Sequence, residues 1–549
     1  MIKSRSILLI WLSFGILIIS LFSEFIFGND LYIFQDIGSD TYFQYWPFDR
    51  FLGNMLHRGD SINWTFQIGL GKQISPIIAY LNPFRLLVHL MPTDVAVKAY
   101  IYKTLLEIVS ASLLWSLYMK KLGINGLANI VFTFIYGFNG YLILWGQHIN
   151  FGIVFSLIPL TLYSLELLLK EHKKWPLIVS LAYFMSISIY FFAMSSIFLV
   201  MFGACRLINN AGTGEGGGKN LVALMICGFI GFLLSAWITV PEILFFFQSP
   251  RVGKVMDVGI FDHFGWMHYV SLLRFFSNNI FGVGNHYYGP INYYEAPQLY
   301  CGLLTLLLVP QFFCHASSRE RITYGIVLAI IFSTLFSPFL TYLFNARFTS
   351  NNRYTYVVVI FFIFLAANAL YRIDRSRTIN KPVFVVTWMT LISTILTVMI
   401  AAIQMKTGVI EFSDKILLDM ARQARGVPPD ITIDAYRGLF MHRFLPNLLD
   451  ESLKIIFFLL AYGAVFFWLA NKRSADLRIL ILIVLAELVI FNYPTINKRA
   501  NLETTYLVDN KGYYDHTMAA VDYLKGVDGG FYRIGKTYQS VFLLSLIHI

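Results

Sequence analysis

Two carboxylates, Asp36 and Asp40, stand four positions apart in the stretch QDIGSDTYFQYWPF at 35–48, and Gln44, Tyr45 and Trp46 follow closely. That spacing would put both acids on one face of a helical turn. A carboxylate in a partly dry site can accept the proton of an attacking hydroxyl, and an amide and aromatic rings beside it can grip a sugar through its hydroxyls and C–H faces. Two loop acids taken alone more often cap a helix or sit in water. Their aromatic company and their place directly after the first apolar run favour the chemical reading.

If a phosphate is the leaving group, charge builds on its oxygen and a cation must meet it. Lys98, Lys103, Arg274, Arg347 and Arg353 are the candidates at the ends of apolar runs; Arg353, within NNRY at the start of one, is preferred, and Arg347 comes next. Lys103 and Glu107 fall inside a run at a spacing of four, where a lone charge costs roughly 2.5 to 3.5 kcal/mol on insertion scales. They are expected to pair, either as a structural bridge or as the wall of a phosphate groove. His148, beside Gln147 and Asn150 in a short turn, serves either the turn or an acceptor. No metal-ligand spacing surrounds it, so zinc is not indicated. A further aromatic loop carries Asn279, His286, Tyr294 and Glu295 and reads as a sugar pocket, against the alternative of an interfacial aromatic belt.

The elements that must position these residues are membrane helices. The 549 residues are 57% hydrophobic and only 13% charged, with a mean hydropathy of +0.63, which excludes a water-soluble globular protein. The formal charge of +11 sits in short clusters between apolar runs, the distribution of loops retained in the cytoplasm, so a nucleic-acid partner is not expected. Cys205, Cys227, Cys301 and Cys314 lie in or beside apolar runs without ligand spacing and read as small buried hydrophobes.

Runs long enough for a bilayer core lie at 7–27, 97–118, 124–145, 151–169, 221–247, 299–314, 322–344, 354–370, 383–403, 453–470 and 477–491. The stretch 177–208 is long for one crossing. Basic clusters at 120–121, 170–174, 319–321, 372–381 and 472–478 share one side only if it crosses twice, which gives about thirteen spans and a cytoplasmic amino terminus. The Gly-rich AGTGEGGG at 211–218 is then a cytoplasmic linker, lacking the Lys-Ser/Thr ending of a phosphate loop. The transmembrane module is expected over 1–494, with outer loops at about 28–96, 248–298, 345–353 and 406–450. Residues 495–549 read as the start of an extracellular carboxy-terminal region that is cut short, since they end in the apolar VFLLSLIHI.

The strings DTYFQYWPF at 40–48, GYLILWGQHINFGIVFSLIPLTLYSLE at 140–166, SIYFFAM at 188–194, YYEAPQLYCGLLTLLLVP at 293–310 and NNRYTY at 351–356 resemble the bacterial YfhO family over most of the chain. The resemblance implies a GT-C-like architecture, all-α and polytopic, with a helical first outer loop. It implies a glycosyltransferase of the plasma membrane that takes a sugar from a polyprenyl-phosphate carrier. The acceptor would be a cell-envelope glycan or glycolipid, such as a teichoic-acid-like polymer, on the outer face. A separate synthase and a flippase would load and turn over the carrier. The essential acid of the first outer loop would be Asp40, with Asp36 as alternate. The two are not an Asp-x-Asp pair, which leaves a helping divalent cation open. A lipid-linked sugar flippase or secondary transporter would share the span count, yet should keep its charges near the midplane and carry inverted repeats. Here most acids lie in loops. A scaffolding protein would need no acid and amide clusters on one side.

Overall fold

The computed structural model describes residues 4–36, 40–59, 64–65, 72–73, 80–92, 95–210, 217–247, 259–293, 296–347, 352–423, 432–472, 474–504, 522–524, 526–527, 533–535 and 546–548. The chain is an all-α membrane protein. Among the described residues, eight helices are long and apolar enough to cross a bilayer, or nine if the bent pair Ser318–Ser333 and Pro338–Phe344 makes one span. Strand structure there is confined to three two-stranded ladders. Most of the Gly-rich segment at 211–218 lies outside the described residues, as does much of the first loop between 60 and 79.

The amino-terminal helix α1 (Ser4–Ile26) leads into strand β1 (Asp30–Phe34), then into a π-helical turn at Thr41–Tyr45 that runs on into α2 (Trp46–Arg58). Pro47 suits the first turn of α2, where no amide partner is lost, and Gly59 stops the helix in a left-handed conformation at φ 67°. Helix α3 (Pro83–Leu90) begins under the Asn82 side chain, which accepts from the amides of Phe84 and Arg85.

Helices α4 (Ala99–Leu122), α5 (Leu127–Gly137), α6 (Gly140–Trp145) and α7 (Phe151–Glu171) form the next part of the bundle. The stretch 177–208 is seen as two helices, α8 (Trp175–Ile187) and α9 (Ile189–Asn210), joined at the extended residue Ser188. They run up and back: Leu177 at the start of α8 and Leu207 near the end of α9 meet in one apolar cluster. The chain doubles back where the charge pattern expects it to, but α8 has 13 residues and is not among the helices long enough to cross a bilayer, so the expected count of about thirteen spans is not reached among the described residues.

Helix α10 (Gly217–Phe247) packs along α8. Beyond the second loop come α11 (Leu303–His315), α12 (Tyr356–Ser376), α13 (Lys381–Lys406), α14 (Leu445–Asn471) and α15 (Ile479–Asn497). Helix α12 is the axis of the core. It is apolar around its whole circumference, and every residue from Tyr356 to Ala367 is buried, as such a pattern requires. In α13 only 11% of the apolar window is covered by protein, which marks a peripheral, lipid-facing helix.

Two buried carboxylates inside the bundle are paired across it. Glu487 of α15 accepts from the Tyr300 and Tyr462 hydroxyls and from the amide of Leu303, so it caps α11 from across the core. Glu166 takes a two-pronged bond from Arg206 at the far end of α7 and α9. A carboxylate left bare there would be costly. After α15 the chain returns to its beginning: β2 (Asn501–Glu503) pairs antiparallel with β1, Asp30 opposite Glu503 and Leu31 opposite Leu502.

Candidate functional site

Asp40 and Asp36 lie at the same end of the bundle but in opposite circumstances. Asp36 is buried, and Arg499, just past α15, grips both of its oxygens at 2.6 and 2.5 Å. The guanidinium also covers the ring of Phe34 at 4.0 Å. Behind the acid stands Gly284 at φ +54°, where a Cβ would come within 2.3 Å of Asp36 Oδ2, so only glycine closes this wall. In the amide orientation its neighbours select, Gln147 donates to Thr41 Oγ1 at 3.1 Å and accepts from Arg499. The clasp therefore reaches the first residue after Asp40. Asp36 itself is locked in a buried salt bridge.

Asp40 opens the π-helical turn and is exposed. Such turns tend to occur at functional sites. Tyr45, one turn on, donates to its Oδ2 at 3.4 Å, and His148 Nδ1 stands 3.4 Å from the same hydroxyl. Although Asp40 is open at the surface, protein mass around its carboxyl desolvates it and raises its pKa. The Tyr45 hydroxyl and the charge of Arg353 pull back part of that rise. Burial holds His148 well below the usual histidine range, helped by the positive charges of Arg499, Arg353 and Lys103, so the imidazole is neutral.

Arg353 arrives from the start of the α12 segment, in a single turn at Asn352–Thr355. It is exposed, its charge reaches Asp40 and His148, and its side chain bonds Tyr190 at the start of α9. Its carbonyl accepts from Tyr141 at 2.7 Å. A carboxyl with a raised pKa and an exposed guanidinium thus lie within electrostatic reach of each other, with the buried His148 imidazole behind Tyr45. Gln44 is exposed beside them.

The other residues singled out by sequence are distributed differently. Lys103 and Glu107 do pair, at 3.2 Å and buried, with Lys103 also donating to the Gly146 carbonyl, which ties α4 to the turn carrying His148. Trp46 is buried against Tyr100 instead of presenting a face to a sugar. Arg274 is fully enclosed between the rings of Tyr287 and Tyr293, which removes it from any phosphate arriving at Asp40. Asn279 is buried and bonds Glu451 and Asn447, linking the second loop to α14. Lys98, Arg347 and His286 are exposed, Arg347 in a left-handed turn at φ 61°. Tyr294 and Glu295 lie outside the described residues. Among the described residues no group of three or more His, Cys, Asp or Glu is arranged to hold a metal ion.

Sequence reasoning missed two supports. Arg499 is one; its signal was the Lys498-Arg499 pair directly after α15. The other is Asp49 of α2, buried, which accepts from Arg85 Nε at 2.6 Å, His89 Nε2 at 2.9 Å and Tyr100 at 2.5 Å. Burial pushes its pKa up, but Arg85, then His89 and Tyr100, outweigh this and bring it to about 2. One carboxylate so binds α2, α3 and α4 into the platform under the Asp40 turn.

A profile of the family described as bacterial membrane protein YfhO matches residues 9–541. Among solved structures the chain is similar to ArnT from Cupriavidus metallidurans in the apo state, at 12% identity and a TM-score of 0.43, with 90% of this chain and 78% of that chain covered. No curated protein matches it.

Proposed function

The chain belongs to the YfhO family of bacterial membrane proteins, and from that premise we propose that it is a membrane glycosyltransferase of the GT-C type. It moves a sugar from a polyprenyl-phosphate carrier to a hydroxyl of a cell-envelope glycan or glycolipid, at the outer face of the plasma membrane. The observation that carries this reading is that Asp40 and Arg353, from distant parts of the sequence and both exposed, lie within electrostatic reach of each other.

The chemistry divides between them. Asp40 takes the proton of the acceptor hydroxyl as its oxygen attacks the anomeric carbon. A carboxylate whose pKa is raised is a stronger base for that task than an ordinary one, and general-base catalysis gains as the pKa approaches working pH. As the bond from the anomeric carbon to the phosphate oxygen breaks, negative charge develops on the leaving polyprenyl phosphate, and Arg353 stands where it can bond that oxygen. Tyr45 orients the Asp40 carboxylate, and His148, being neutral, adds no positive charge that would lower the base strength of Asp40. Gln44 is free to reach the acceptor. A divalent cation is not required by this scheme, since a guanidinium fills the electrophilic role.

Asp40→Asn in the full chain, assayed for sugar transfer from polyprenyl-phosphate donor in membranes with expression checked, tests the reading. Transfer should fall by about 10²- to 10⁴-fold, the usual worth of a general base. Unchanged transfer at equal expression removes Asp40 from the mechanism.

A further inference from the structure

Helices α8 and α9 meet at Ser188 and come together again near Leu177 and Leu207, with a cavity of about 340 Å³ between them. Helix α7 closes one wall and α10 another. An engineered apolar cavity of roughly 150 Å³ already takes up benzene, so this one has room for several branched hydrocarbon units. Its lining is leucine, methionine, phenylalanine, valine, alanine and glycine apart from two hydroxyls, and both are turned away. Thr161 donates to the carbonyl of Leu157 at 2.8 Å and Ser196 to that of Ala193 at 2.7 Å, each on its own helix. No polar ligand is invited. Val200 and Met225, which line the cavity, are also exposed, so it opens sideways to the surrounding bilayer.

The cavity also adjoins the site. The first turn of α9 borders both: Tyr190 bonds Arg353 on one face, and Phe192, packed on Phe184 at 5.5 Å, lines the cavity on the other. From Phe192 to Leu207 the wall follows α9 for about 22 Å at the helical rise per residue. A molecule whose phosphate rests at Arg353 would pass its hydrocarbon round this first turn to enter the wedge, a short reach for a chain long enough to line that wall.

We propose that the wedge between α8 and α9 binds the isoprenoid tail of the donor lipid and selects donors by tail length. This rests on the reading of Arg353 as the seat of the carrier phosphate. The tail enters from the bilayer through the open side, and its burial holds the sugar-bearing end beside Asp40.

The test uses the purified full chain in phosphatidylcholine nanodiscs, with undecaprenyl phosphate and geranyl phosphate as probes. A Cβ built on Gly228 meets nothing within 4 Å, so Gly228→Phe fills the cavity without touching backbone. The wild type should bind the long probe at least about tenfold more tightly, because the close contacts of a fitted apolar wall replace the looser packing of lipid tails. Gly228→Phe should abolish most of that preference and leave geranyl phosphate within about twofold. A diazirine placed along the long probe should crosslink to α8, α9 or α10 of the wild type, which guards against a misfolded variant. An unaltered preference in Gly228→Phe, or crosslinks confined to other helices, overturns the proposal, as does equal crosslinking by a diazirine-bearing phosphatidylcholine that the long probe does not displace. Arg353→Ala separates the two readings. If it weakens neither probe while Gly228→Phe still removes the preference, the tail site stands and the phosphate seat falls.

Discussion

Asp36 and Asp40 belong to one short motif, yet the molecule treats them as opposites. Asp36 is buried, held by both oxygens to Arg499 and walled by a glycine. Asp40 is exposed, with one long hydrogen bond from Tyr45 and a cation within electrostatic reach. A carboxylate with both oxygens held by a guanidinium gives up that pair if it takes a proton. In the proposed reading the motif therefore divides its labour: one acid fixes the loop, and the other is left underemployed so that it can react.

This contrast can be broken in several ways. The sharpest pairs Asp40→Asn with Asp36→Asn. The first should remove transfer while leaving thermal unfolding in detergent unchanged. The second should lower stability by about 3–5 kcal/mol, because Arg499 is left buried without its partner, and Asp36→Asn with Arg499→Gln should recover part of that loss. If Asp36→Asn is as stable as wild type and merely inactive, the division of labour is wrong. Next in size, Arg353→Ala should reduce kcat by about 10²- to 10³-fold, the worth of one donor to a developing oxyanion. A change in KM alone would show that Arg353 binds the donor without aiding bond cleavage. The smallest effect is on pH dependence. The base works deprotonated, so the rate falls as pH drops through the pKa of Asp40. Burial has raised that pKa, which places the acid limb above the ordinary carboxylate range near 3.9. Tyr45→Phe removes a bond that favours the charged form, so the limb should move to higher pH; a shift to lower pH would mean that Tyr45 does not support the carboxylate.

Much of the bundle was legible in the sequence because apolar runs and basic clusters repeat at lengths fixed by the bilayer. The break of 177–208 into two helices followed from charge parity, although α8 is too short to count among the spans. The Lys103–Glu107 pair followed from helical spacing. Asp40 and Arg353 could each be picked from position, although nothing in the sequence says that the charge of one reaches the other. The supports escaped because polar pairing across a fold has no period: Arg499 meets Asp36, Arg85 and His89 meet Asp49, and Glu487 caps a helix that begins at Leu303. Trp46 and Arg274 misled for a related reason. An aromatic ring or a guanidinium in a loop looks available until the loop is seen to fold back and cover it.

The pairing of β1 with β2 has a consequence for how the protein is made. Residues 30–36 are made well before 499–503, and the ladder and the Asp36–Arg499 bond join them. Until α15 has been inserted, the loop that bears Asp40 lacks both its strand partner and its clamp. A nascent chain thus carries the proposed base on an unfinished mount while the 463 positions that separate Asp36 from Arg499 are made. The mount is completed only when the segment after α15 closes on the first loop.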